Sequence, residues 1–232
     1  MTTPRWRRPK LASHTESLAL REQFETPAQQ KEISALGMWI FLVTEVMFFG
    51  GMFLAYTVYR STFPDAFSVA SNTLDLVIGA VNTGVLICSS FTMVLAVHAA
   101  QIGSRKLLML FLILTMFLGC VFLGIKAKEW NDKFNEHHVP GPTFYLAEAP
   151  QSEQGEAQLF FSLYFAMTGI HALHMVVGVG ILMTLLIQSY RGRYSASYNT
   201  PIDIAGLYWH FVDVIWIYLF PLLYLIGRHH HH

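Results

Sequence analysis

Five ionisable side chains lie inside apolar stretches of this sequence: Glu45, His171, His174, His210 and Asp213. Glu45 interrupts the apolar run from Ile33 to Tyr59. Its neighbours at helical spacing, Met38, Phe41, Leu42, Phe48, Phe49 and Met52, cannot pair with a charge. His171 and His174 stand at i and i+3 and are expected on one helix face, continued by Gly178 and Ile181. His210 and Asp213 repeat that spacing. Carboxylates and imidazoles on facing helices can hold iron or a similar ion. The Glu-x-x-His pair on each of two helices that marks di-iron bundles is missing here, whereas two facing histidines would suffice for a haem. The competing reading is a set of interhelical hydrogen bonds and ion pairs that fix register, worth about 0.6–2 kcal/mol each. We assign most of the five to that packing role. Glu45 stays open as a proton-relay group, because a carboxylate in a membrane segment must be protonated or meet a partner on another helix.

These residues need long apolar elements to carry them. The 232-residue chain is 53% hydrophobic and 13% charged, with a mean hydropathy of +0.42. That balance is too apolar for a soluble domain and suits a polytopic helical membrane protein. The formal net charge of +0 offers no field for a nucleic-acid partner. Cys88 and Cys120 both fall in apolar segments and read as buried free thiols. Five spans of the length a bilayer requires are expected at about 33–59, 74–99, 106–125, 159–188 and 204–226. The second, with Asn82, Thr83, Ser89, Ser90, Thr92 and His98, should make tight helix contacts. After Ile125 a polar stretch is expected to run to Gln158, with Pro140, Pro142 and Pro150 interrupting any helix, and Pro221 is expected to kink the last span.

Residues 1–32 read as a polar arm without the apolar core of a signal peptide, residues 33–227 as the membrane domain, and residues 228–232 as a His-rich tail. Ten basic residues (Arg5, Arg7, Arg8, Lys10, Arg21, Lys31, Arg105, Lys106, Arg191 and Arg193) fall on one side of the expected topology. Five (Arg60, Lys126, Lys128, Lys133 and Arg228) fall on the other. The positive-inside rule then puts the N-terminus in the cytoplasm and the C-terminus outside. Trp39, Trp130, Tyr145, Tyr190, Tyr194 and Tyr208 lie near span ends, as in an aromatic belt. Arg105, Lys106, Arg191 and Arg193 are candidates for lipid head-group phosphates, or mark topology alone.

An ordered series of short stretches resembles subunit III of the haem–copper oxidases, most closely cytochrome c oxidase subunit III. It comprises residues 42–49 (LVTEVMFF), Val81-Asn82-Thr83 with Ser89-Ser90, Arg105-Lys106, residues 126–130 (KAKEW), residues 165–174 (FAMTGIHALH) and residues 208–216 (YWHFVDVIW). The resemblance implies an all-α integral membrane subunit with five spanning helices in the short bacterial form, in the cytoplasmic (inner) membrane. Its implied partners are subunit I directly, subunit II and further respiratory subunits, within a complex that reduces dioxygen to water and pumps protons. Haem and copper would belong to those partners, none to this chain, and structural phospholipids would sit in a cleft. Protection of the catalytic subunit and support of proton uptake are the implied roles, and Glu45 falls on the family's buried carbodiimide-reactive glutamate. The longer form has seven helices; five-helix versions occur among bacterial cytochrome c oxidases and quinol oxidases, and related proteins accompany nitric oxide reductases. The electron donor, cytochrome c in the first reading, therefore has quinol as its alternative.

Overall fold

The computed structural model describes residues 27–194 and 198–225. The basic residues of the N-terminal arm up to Arg21, Arg228 and the His-rich tail lie outside the described residues. Six α-helices follow in order: α1 (Pro27–Thr62), α2 (Pro64–Asn72), α3 (Leu76–Gln101), α4 (Arg105–Asn135), α5 (Gln154–Tyr190) and α6 (Thr200–Phe220). All but α2 are long and apolar enough to cross a membrane. Residues 33–59 lie within α1 and the other four expected spans fall on α3, α4, α5 and α6.

The boundaries differ from expectation in three places. The stretch between the first two expected spans, with a short loop expected around Phe63-Pro64-Asp65, contains α2, opened by Pro64 at a position where the missing N–H is not needed. Helix α4 runs ten residues past Ile125 to Asn135. Lys126, Glu129 and Lys133 continue the three-and-four spacing of Leu112, Thr115, Gly119 and Phe122, and all are buried on one face. The prolines at 140 and beyond stop the helix only after this polar turn. At Pro221 the last helix passes into one π-helical turn, Pro221–Leu225. Two carbonyls of that turn take side-chain donors: the Tyr56 hydroxyl donates to Leu222 O at 2.9 Å and the Ser71 hydroxyl to Leu223 O at 2.8 Å.

Short turns set the topology. Asp75 caps α3 by accepting from the Val77 and Ile78 amides at 2.8 and 3.2 Å. Gly103 (φ 73°) makes the left-handed step between α3 and α4 that a side chain would resist. Helices α3 and α4 form the most extensively packed pair, and α6 is the most enclosed of the five spanning helices while α1 is the least. Helix α1 runs parallel to α6: Lys31 lies 4.0 Å from Asp203 at one end, and Tyr56 bonds Leu222 at the other.

Trp209 anchors α6 in the bundle. Its ring fills a slot between α4 and α5 that exists because both walls are glycine. A Cβ on Gly119 would stand 2.8 Å from the ring, and one on Gly178 would stand 3.0 Å from it. The indole N–H donates to Ser89 Oγ at 3.1 Å. Replacing Gly119 with Val forces this rigid ring out of its slot, an overpacking cost of about 1–3 kcal/mol. Thermal dissociation of the purified assembly should shift to lower temperature, and Gly124→Val, where a Cβ meets nothing within 4 Å, should leave it unchanged.

Candidate functional site

Among the described residues, two sites bring ionisable side chains of α1, α4 and α5 to polar partners inside the apolar bundle. The first contains Glu45. Its Oε2 lies 3.3 Å from His174 Nε2, each side chain 18% exposed, between α1 and α5. His174 Nδ1 lies 2.9 Å from Ile170 O, a contact that requires the proton on Nδ1 because a carbonyl can only accept. That leaves Nε2 turned toward the Glu45 carboxylate. Phe49 meets the His174 ring edge-on at 5.5 Å, and the Tyr208 hydroxyl donates to the His174 carbonyl at 2.9 Å.

The expected pairing of the two histidines on one face is corrected here. His174 turns to α1, whereas His171 turns into the bundle, between Phe122 at 5.5 Å and Trp216 at 5.2 Å. At i+3 two side chains diverge by about 60° around the axis, and here a different helix occupies each direction. His210 and Asp213 likewise do not serve each other. His210 Nδ1 shares a 2.7 Å hydrogen bond with Ser90 Oγ. Asp213 is buried, and neither carboxyl oxygen has a hydrogen-bond partner of good geometry. Cys88 and Cys120, expected to be buried, are free and exposed on the bundle surface. Among the described residues no three His, Cys, Asp or Glu side chains converge as a ligand set.

The second site is one that reasoning from the sequence missed. Lys126 and Glu129, placed in a loop by their polarity, face the interior with side chains 3% and 5% exposed. Lys126 Nζ donates to Glu129 Oε2 at 3.2 Å, to the Tyr164 hydroxyl at 3.0 Å and to the Tyr224 hydroxyl at 2.9 Å, which uses all three ammonium protons. Both tyrosine hydroxyls donate in turn to Glu129 Oε1, that of Tyr164 at 2.7 Å. The ammonium also lies 4.7 Å from the Tyr164 ring centre and 5.1 Å from that of Trp216. Three helical segments (α4, α5 and the π-turn after α6) thus meet on one ion pair. The signal was present as Lys126, Glu129 and Lys133 at helical spacing in register with the apolar face before them.

Arg105, Lys106, Arg191 and Arg193 are all exposed at the end of the bundle formed by the α3–α4 and α5–α6 turns. Arg105 stacks 5.9 Å over the Tyr190 ring and reaches the turn at Gly192. In the same turn Tyr194 donates to Gln188 Oε1 at 2.6 Å, and burial raises its phenol to about 12, so it stays a donor.

Against known families, the model described as cytochrome c oxidase subunit III matches residues 21–151 and 154–228. The chain belongs to this family. A protein of Staphylococcus haemolyticus named probable quinol oxidase subunit 3 is 30% identical over 205 residues, 88% of this chain and 94% of its own length. The protein of the same name from Staphylococcus aureus is 29% identical over 204 residues, with the same coverage. The five-helix bundle is thus a haem–copper oxidase subunit III, a multi-pass protein of the bacterial cytoplasmic membrane that forms part of an oxidoreductase complex with other oxidase subunits.

The two buried sites respond differently to substitution. Lys126→Met strands Glu129 without its ion partner, at a cost of about 3–5 kcal/mol. The double change Lys126→Met, Glu129→Gln removes both charges and should restore most of the loss, read as subunit retention during purification and as thermal dissociation of the complex. At the first site Glu45→Gln keeps a donor toward His174 Nε2, so assembly should survive; loss of the complex would instead make Glu45–His174 an essential structural ion pair.

Proposed function

We propose that this chain is the non-catalytic supporting subunit of its oxidase, holding the catalytic subunit in an active form, aiding proton uptake and binding structural lipid. The observation that carries this reading is the use its buried charges are put to. Lys126, Glu129, Tyr164 and Tyr224 satisfy one another, and Glu45 and His174 face each other, so these groups are spent on packing helices together. Haem and copper would then reside on subunit I and subunit II, which this chain accompanies. The cytoplasmic side is read as the end that carries Lys31, Arg105, Lys106, Arg191 and Arg193, where the guanidinium groups can meet phospholipid phosphates. In that frame the α4–α5 loop is external.

Two donors are read for the complex. Cytochrome c accords with the family's description, and quinol is favoured by the names of the relatives. The donor sites belong to other subunits, so the purified complex decides: oxidation of reduced cytochrome c supports the first reading, and oxidation of a soluble quinol without cytochrome c activity supports the second. For the supporting role, a complex stripped of this chain should begin turnover at the rate of the intact one and then lose activity faster. Equal lifetimes with and without the chain would overturn it.

A further inference from the structure

Residues 136–150, outside the spanning segments, fold back over the end of the bundle. Leu146 and Ala149 of this loop are themselves buried. Gln154 fastens it there: its Oε1 accepts from the Leu146 amide at 2.9 Å, and its Nε2 donates to the Leu146 and Ala149 carbonyls at 2.7 and 2.9 Å. At the loop's start His138 is buried with its ring 5.2 Å from that of Phe161 on α5. Phe161 in turn contacts Tyr164, a member of the Lys126–Glu129 cluster, at 6.2 Å. One aromatic layer therefore separates His138 from the buried ion pair.

The charges around His138 are few and closely placed. His138 Nδ1 lies 3.1 Å from Glu136 Oε2, and that oxygen already accepts from Lys133 Nζ at 2.6 Å. Lys133, buried at the end of α4, also donates to Thr73 O at 2.9 Å, the C-cap of α2. Glu148 is the other charge that acts on His138, from the far arm of the loop. Tyr145 and Glu148 complete the wall of a cavity of about 390 Å³ beside these groups. Helix α5 contributes the apolar Phe161 face, and α2 contributes the Thr73 carbonyl. Burial first, then Lys133, holds the imidazole below its ordinary value, against the opposing pull of Glu136 and Glu148.

We propose that His138 is an acid-sensitive latch: its protonation sets a second cation beside Lys133 on one shared carboxylate and releases residues 136–150 from the end of the bundle. The proton comes from the aqueous phase and no bond other than N–H is made. In the released loop the imidazole titrates near its ordinary value of about 6.5, while in the closed loop it binds a proton less readily. The closed form is therefore fully favoured above that value and is lost as pH falls through and below it. Release uncovers Phe161 and the cluster beneath it, a coupling of the pH on the loop's side (the outer side in the topology proposed above) to the buried Lys126–Glu129 pair.

Hydrogen exchange on the assembled oxidase tests the latch, read as protection factors corrected for intrinsic rates. From about pH 7.5 to about pH 5, protection of the Leu146 and Ala149 amides should fall by about fivefold or more, with helix α3 unaffected. His138→Gln should hold the loop's protection constant across that range. Glu148→Gln, at an exposed position, removes one of the two carboxylates that favour the imidazolium and should enlarge the acid loss. The proposal is overturned by a wild-type loop indifferent to pH, or by acid loss that persists in His138→Gln. Should His138→Gln open the loop at every pH, Glu148→Gln decides: a larger acid loss supports the latch, and an unchanged one overturns it.

Discussion

Lys126 and Glu129 are 2% and 5% exposed in a helix whose opposite face is apolar surface. Removing both charges from water is costly, and their mutual attraction repays that cost only when every remaining proton and lone pair finds a partner. The partners come from elsewhere in the chain. Tyr164 sits on α5 and Tyr224 on the π-turn that follows α6, so the ion pair is satisfied only when three segments are in place together. The turn itself is held from outside by Tyr56 of α1 and Ser71 of α2, which bond its carbonyls. One end of the bundle is thus a single polar assembly, and a helix missing from it would leave a charge or a carbonyl exposed to hydrocarbon.

The middle of the bundle is held by shape instead. Trp209 enters between Gly119 and Gly178, and nearer the polar end Gly79 receives the Phe220 and Tyr224 rings, with a Cβ on it standing 2.9 Å from Phe220. Between membrane helices there is little hydrophobic driving force, so close backbone approach and hydrogen bonds such as Trp209 to Ser89 do the work. Helix α1 stands apart from this interlocked core. It is the least enclosed spanning helix, and its contacts with α5 include Glu45 with His174 and Tyr56 against Phe160. Glu45, whose need for a partner was legible from its context, is therefore on the helix with most surface left for other oxidase subunits or lipid.

Much of the candidate chemistry was visible in the sequence as residue types, and less of it as partnerships. Glu45 stood out because nothing within a turn of it could answer its charge, and its need for a partner on another helix was legible. That the partner is His174, with His171 turned elsewhere, depends on which helix lies in each direction around α5. His210 and Asp213 looked like a pair by spacing, and a serine on α3 took the histidine. Lys126, Glu129 and Lys133 were read as loop charges because a charge usually marks the end of a span. The burial of Lys126 and Glu129 depends on two tyrosines, 35 and 95 residues further along the chain from Glu129, whose hydroxyls close around it.

By itself the sequence determined that the chain is all helical, that it crosses a membrane five times, and which oxidase subunit it resembles. Those follow from local properties, the length of apolar runs and short ordered motifs, which a chain carries before it folds. Tertiary structure alone decided where each helix ends when its last turns are polar, and which buried charge meets which partner. An ionisable group in low dielectric is tolerated only with its counterpart present. Its place is set by residues distant in the chain and adjacent in space, an arrangement that spacing along one helix cannot express.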